Sequence, residues 1–361
     1  MDRKIKMLNE LKLLGANVIN DFNKGEPPKL QVPSRITSNI VYDPKARCYV
    51  LGDKYKLRSA GNIAHVKKIA QTMCVATFGK ELVEKSQFAT LREMYYYGEG
   101  WPCGKFVDQQ ESDMVAEDLE VMLGCKREDL GIYPEESGAG VFGDLLVREP
   151  DGNEIHAEKA GMGGYTIPPI VDDVEFVRCK AKRVIAVETL GYYHRLVQER
   201  THKKFDALIV GLKGQASRAT RRMIRRLHEE LKLPIYIFVD ADPYGAHIAM
   251  VIISGSAKAA HVNKQLATPD AVWIGVKASD IEKYKLPTDK LTEQDYKRIE
   301  ELKRDPRYQI EEWLEELNLW KKLGVKAEQQ SLARHGLSYV VEKYLPEKIK
   351  QFEPNFKIKA A

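Results

Sequence analysis

The chain has 361 residues, 43% of them apolar and 30% charged, with a formal net charge of +5. That length exceeds what one hydrophobic core usually supports, so at least two domains are expected. No apolar run approaches the ~18 residues of a membrane span, no secretion signal opens the chain, and the five cysteines form no C-x-x-C pair; membrane, secreted and zinc-ribbon classes are set aside and a soluble, cytoplasmic protein is expected.

The opening segment reads as an amphipathic helix with Leu11, Leu14, Val18 and Phe22 on one stripe, suited either to packing on its own domain or to docking a partner. Gly25-Glu26-Pro27-Pro28 ends it, and a short hairpin around Asp43-Pro44 completes an N-terminal extension over 1–60. From Asn62 the spacing turns helical through Ile63, Val66 and Ile69, with a break expected at Gly79. A second stripe of Phe88, Leu91 and Tyr95 and a helix from about Glu111 to Leu123 follow. Strand-like runs at 140–148 and 154–158 flank the turn residues Pro150-Asp151-Gly152-Asn153. Helices followed by a hairpin are the order of a winged-helix (helix-turn-helix) domain, assigned to 61–160.

Over 161–290, apolar strands at 183–187, 206–210, 235–239 and 271–275 alternate with helical segments near 190–200, 216–231 and 244–253. This alternation predicts a Rossmann-like parallel sheet covered on both faces. The fold class is therefore α/β and α+β multidomain. A charged helical segment, 291–361, closes the chain, with Trp313, Leu317 and Trp320 as anchors.

Two acidic sites fall at carboxyl ends of predicted parallel strands: Glu188 after Arg183–Val187, and Asp240-Ala241-Asp242 after Ile235–Val239. Open α/β sheets bind ligands along that edge. Three carboxylates gathered there repel one another unless a cation intervenes, and an oxygen-only donor set suits Mg²⁺. Either acidic site alone reads equally well as a helix N-cap or a loop charge. The combination of Glu at one strand end and D-x-D at another, two crossovers on, resembles the Toprim domain of topoisomerases, primases and some nucleases, which implies metal-assisted phosphodiester chemistry.

A protein nucleophile separates a topoisomerase from the other Toprim enzymes. The segment Thr90-Leu91-Arg92-Glu93-Met94-Tyr95-Tyr96-Tyr97 offers three consecutive tyrosines, which diverge by ~100° per step on a helix. Tyr95 shares the apolar stripe, Tyr97 points away from it, and Tyr96 lies between, one turn beyond Arg92. A guanidinium beside a phenol favours the phenolate and also pairs with phosphate. An isolated Arg-x-x-x-Tyr on a helix is usually structural; here it precedes a metal-type carboxylate set.

Leu91-Arg92-Glu93-Met94-Tyr95-Tyr96 resembles the tyrosine motif of the type IIB topoisomerases, the A subunits of archaeal topoisomerase VI and their meiotic double-strand-break relatives. Val32-Pro33-Ser34-Arg35, Ser38-Asn39-Ile40, Gly138 to Asp144, Gly164-Tyr165-Thr166-Ile167-Pro168 and Lys326-Ala327-Glu328-Gln329-Gln330 agree, so the resemblance covers nearly the whole chain. It implies Tyr96 as nucleophile with Arg92 assisting, and Glu188, Asp240 and Asp242 as metal ligands. The cofactor implied is Mg²⁺, with ATP bound by a separate GHKL-type B subunit; in this chain the glycine-rich Gly211-Leu212-Lys213-Gly214, which follows a strand, matches neither G-x-G-x-x-G nor G-x-x-x-x-G-K-[ST]. It further implies double-stranded DNA as substrate, a homodimer of A subunits within an A–B heterotetramer, and a nucleoid-associated location.

Arg218, Arg221, Arg222, Arg225 and Arg226 fall on one predicted helix. They read as a phosphate-tracking face or, equally, as a solvated face paired with Glu229 and Glu230. Two rivals to the main reading stand: a hydrolytic Toprim nuclease or primase-like enzyme, and a non-catalytic winged-helix DNA-binding regulator.

Overall fold

The computed structural model describes residues 2–133 and 139–359; Gly138, the first residue of one quoted motif, lies outside them. The chain divides into two compact units, one of Met1–Val41, Val50–Glu136 and Ala257–Val262, the other of Tyr42–Tyr49, Ser137–Ser256 and Asn263–Ala361. Among the described residues no helix is long and apolar enough to cross a membrane.

The first unit is mainly helical: α1 (Asp2–Asn23), α2 (Ile63–Lys85), α3 (Leu91–Gly98) and α4 (Gln109–Leu123). The α1 stripe turns inward. Met7 and Leu11 are buried, Leu14 and Val18 pack on the same unit, and Phe22 alone of the expected stripe is exposed. Those inward residues are therefore core, which removes most of the expected docking surface. Asn62 caps α2, its side chain accepting from the Ala64 N–H at 3.0 Å.

The break expected at Gly79 does not occur, because α2 runs straight through it. A Cβ at Gly79 would press on Leu130, so the glycine serves close packing within the helix instead of ending it. The N-terminal motif residues are also structural. Asn39 is buried and donates to the Ser34 carbonyl at 2.7 Å, while Arg35 donates to Asp118 of α4 at 2.8 Å and pairs with Glu117.

The second unit is built on a six-stranded sheet ordered 165–166, 140–142, 207–211, 183–187, 235–238, 272–275. The last four strands are parallel, as the alternating pattern predicts. The first two are antiparallel additions, so the sheet is mixed. Every residue of the three central strands is buried, which is why they read as continuous apolar runs instead of alternating ones. The helices α5 (Leu190–Gln198), α6 (Thr201–Lys204), α7 (Arg218–Leu231) and α8 (Pro243–Ser254) intervene.

The hairpin expected as a wing on the helical domain belongs to this second unit. Its strands Leu145–Arg148 and Glu154–His156 pair as the turn residues require, but Glu175–Cys179 joins them to make a three-stranded antiparallel sheet. Val141, Leu145 and Val147 share one core with the parallel strands. The unit boundary consequently falls before residue 140 and not at 160. The C-terminal region is likewise part of this core, with Leu317 and Trp320 fully buried and the Trp313 ring packed at a tilt 4.6 Å from that of Trp273.

Candidate active site

The 183–187 and 235–238 strands lie side by side in parallel register, Val187 opposite Phe238, so their next residues emerge together at one sheet edge. There the Asp240 N–H donates to Glu188 Oε2 at 2.9 Å, and Asp240 Oδ1 accepts from the Gln329 N–H at 2.8 Å. Asp242 opens α8 as its N-cap, accepting from the Gly245 N–H at 2.6 Å, with Pro243 at the first helical position. The capping role and the acidic-site role thus coincide in Asp242. A Cβ at Gly245 would collide with the Asp240 carbonyl; only glycine lets α8 start so close to the strand end.

The carboxyls are held in an environment hostile to their charge. Burial, together with the charges of Asp240 and Asp242, pushes Glu188 up to about 8 against the opposing Asp240 hydrogen bond. Burial also pushes Asp240 up to about 6, helped by Asp242 and Glu328 and resisted by the Gln329 N–H. Asp242 is raised by burial too, while the Gly245 N–H and Lys326 draw it down. A cation at this edge relieves all three, and an all-oxygen donor set fits a hard divalent ion. Among the described residues no three acidic, His or Cys side chains converge into a ready-made cage. An ion that keeps several waters and takes only one or two carboxylates at a time is what this arrangement suits.

In the first unit, α3 is only eight residues long and depends on its cap. Thr90 Oγ1 accepts from the Glu93 N–H at 3.1 Å, and Glu93 Oε2 accepts from the Thr90 N–H at 2.7 Å, a reciprocal capping box. The phase of α3 differs from the sequence expectation. Phe88 precedes the helix and stacks on Tyr133 at 4.9 Å, and the buried anchors are Met94 and Gly98, one turn apart.

Tyr95 is half-buried, whereas Tyr96 and Tyr97 are 60% and 54% exposed. Tyr97 does not stand free in solvent, because its ring lies 4.9 Å from Phe78 and 6.4 Å from Trp101. Tyr96 is the most exposed of the three, its one ring contact being Tyr95 at 5.2 Å among the described residues. Arg92, also exposed, lies one turn before it.

Residues 67–132 match the family described as "Type IIB DNA topoisomerase". Residues 135–180 match the all-beta domain of the DNA topoisomerase VI alpha chain, and residues 183–349 the Toprim domain shared by the topoisomerase 6 A-subunit and Spo11. The type 2 DNA topoisomerase 6 A-subunit of Methanothermobacter thermautotrophicus is 57% identical over 353 residues, 98% of this chain and 99% of that protein. Its counterparts in Archaeoglobus fulgidus and Haloarcula marismortui are each 43% identical, over 339 and 342 residues, with 93% of this chain covered and 94% and 93% of theirs. The chain belongs to the A-subunit family of type 2 DNA topoisomerase 6.

Within this topoisomerase 6 family member, the all-beta match spans the three-stranded sheet, in line with the hairpin's separation from the helical unit. The arginines of α7 do not form the free basic face expected for DNA. Arg221 is buried. Arg222 binds Asp172 at 2.6 Å and the Gln265 carbonyl at 3.1 Å, and Arg225 binds the Ala267 carbonyl at 2.8 Å and Glu229 at 2.7 Å. Arg226 clamps Glu230 and the Val174 carbonyl and covers the Phe176 ring. Arg218 is half-buried. Glu229 and Glu230 pair from the same helix, as one of the two readings of the sequence has it, while Asp172 and the carbonyls come from distant segments.

Three residues at the acidic edge escape a motif reading of the strands: Gly245, Lys326 and Gln329. The signal that points to Gly245 is a glycine at the third helical position, after D-x-D-P. Lys326 and Gln329 lie some ninety residues downstream, and only the family-like run Lys326 to Gln330 pointed to them.

Proposed function

We propose that this chain cuts both strands of duplex DNA by transesterification and reseals them, as the cleaving partner in a two-part type IIB topoisomerase. The observation that carries the reading is the acidic edge, where half-buried carboxyls at neighbouring strand ends lie close enough for the Asp240 N–H to bind Glu188, and where their raised pKa values would be relieved by a divalent cation. Tyr96, exposed on a capped helix, supplies the nucleophile. Its phenolic oxygen bonds to a backbone phosphorus and gives up its proton, the bond to the 3′-oxygen breaks, and that oxygen takes up a proton. The 5′ end stays on Tyr96 until the reverse exchange restores the phosphodiester.

Arg92 lies one turn from Tyr96, within reach of the same phosphate, and stabilises charge there. Glu188, Asp240 and Asp242 would hold Mg²⁺, one or two carboxylates at a time, and the ion would supply stabilisation of negative charge on the phosphate and the leaving oxygen. No G-x-x-x-x-G-K-[ST] phosphate loop occurs in the sequence; ATP is bound by a GHKL-type B subunit, and the working particle is a homodimer of A chains within an A–B heterotetramer in the nucleoid. A double-strand break needs two such sites, which a twofold homodimer provides.

The test is incubation of the chain with ATP, Mg²⁺, supercoiled DNA and its B subunit, followed by denaturation. Protein attached to DNA 5′ ends supports the reading; free ends would indicate hydrolysis, and intact DNA in every condition a non-catalytic binder.

A further inference from the structure

The acidic edge is assembled from more than the two strands that end there. Gln329 is fully buried, and three of its polar groups are used. Its main-chain N–H donates to Asp240 Oδ1 at 2.8 Å, its side-chain amide donates to the Phe238 carbonyl at 2.8 Å, and its side-chain oxygen accepts from Thr189 Oγ1 at 3.4 Å. The same Phe238 carbonyl accepts from the Glu188 N–H at 3.1 Å. Thr189 is the residue after Glu188 and caps α5. One side chain therefore touches both strand ends, next to Glu188 on one and around Asp240 on the other.

The segment bearing Gln329 is itself fixed. Ala327 pairs with Ala241 through main-chain hydrogen bonds of 2.8 and 3.1 Å, and Trp320 Nε1 donates to the Ala241 carbonyl at 3.0 Å. Lys326 binds Asp295 at 2.8 Å, and its charge favours the ionised form of Asp242. The C-terminal region thus grips the D-x-D turn by its backbone, and Gln329 extends the grip across to the Glu188 strand.

We infer that Gln329 is a positioning residue that sets the separation of Glu188 and Asp240 and thereby tunes their affinity for a divalent cation. The inference rests on the metal-dependent reading of the acidic edge. A buried amide with isosteric apolar replacements available can be removed without a change of volume, and losing a residue that orients ligands typically weakens metal binding 10–100-fold.

The test is Mn²⁺ binding to the full chain, without DNA, followed by paramagnetic resonance and calorimetry. Gln329→Met is expected to weaken Mn²⁺ binding by about 10-fold or more. Thr189→Gly, which cuts the same link from its other end and leaves a tolerable helix cap, is expected to weaken it less. The double variant should bind no more weakly than Gln329→Met, because the link is already gone. Mn²⁺ affinity within twofold of the parent in folded Gln329→Met, or strictly additive losses in the double variant, would overturn the inference. Should Gln329→Met fail to fold, unchanged binding by Thr189→Gly overturns it in the same way. Binding that does not depend on Glu188 at all, shown with Glu188→Gln, would overturn the metal reading and this inference with it; Glu188-dependent binding indifferent to Gln329 would overturn this inference alone.

Discussion

The main-chain N–H of Asp240 donates to the carboxylate of Glu188 at 2.9 Å, so the second acidic strand end holds the first one in place while its own side-chain charge repels it. A single backbone hydrogen bond does not compensate for burial plus two neighbouring acids, and Glu188 is left with a carboxyl pushed up to about 8. The edge is thereby built to prefer a proton or a cation over bare charge.

This sets the pH dependence of stability. A carboxyl whose folded-state value, about 8, lies above its usual 4.5 binds its proton more tightly in the folded protein. Its contribution is intact below about pH 4.5 and is lost as pH rises towards 8. In EDTA, Glu188→Gln should therefore match the parent near pH 4.5 and exceed it at pH 8 by on the order of 1 kcal/mol or more, measured by denaturant unfolding. A parent that gains on the variant as pH rises would contradict the sign.

Divalent cations should act in the opposite sense to EDTA. At pH 8, Mg²⁺ is expected to raise the thermal midpoint of the parent and to raise that of Glu188→Gln much less, because ligand binding to the folded state alone is stabilising. Equal shifts in both proteins would place the ion elsewhere.

The arginines of α7 should behave as structural residues. Arg222→Ala loses the Asp172 pair and the Gln265 carbonyl and should cost about 1–3 kcal/mol of stability. The salt dependence of DNA binding should keep its slope, since no phosphate contact is lost. A slope reduced by about one, with stability unchanged, would restore the DNA-contact reading.

Much of this architecture was legible in the chain. The four parallel strands, their helices and both acidic strand ends followed from apolar runs bounded by Glu188 and by Asp240 and Asp242, because buried parallel strands leave no polar alternation to confuse the reading. The segment 140–156 misled: a hairpin's turn residues fix its local pairing but carry no information on which core it joins, and here Val141, Leu145 and Val147 complete the second unit. The phase of α3 slipped because Phe88 was counted into a helix whose true start is marked by the Thr90–Glu93 capping box. The α7 arginines were legible only in part: pairing with Glu229 and Glu230 was one of two readings and occurs, but the other partners were not foreseeable. Their partners Asp172, Gln265 and Ala267 lie some 40 to 50 residues away in sequence, and single-helix periodicity cannot register them.

Sharing of sites between protomers is testable by mixing. If each Tyr96 works with the carboxylates of the other chain, a verified mixed dimer of Tyr96→Phe and Glu188→Gln chains, supplied with ATP, Mg²⁺ and the B subunit, collects both lesions in one site and leaves the other intact. Single-strand nicking with covalent attachment should then reappear. Continued inactivity would place each site within one chain.

The central claim is that the Tyr96 oxygen forms the covalent bond to DNA, and the most direct measurement is denaturing detection of protein-linked 5′ ends from the complete complex with Mg²⁺ and ATP. Tyr96→Phe should give none while retaining DNA binding. Tyr97→Phe, which keeps the ring packed on Phe78 and Trp101, should give attachment within a few-fold of the parent. Protein-linked ends from Tyr96→Phe, or their loss in Tyr97→Phe alone, would contradict the account.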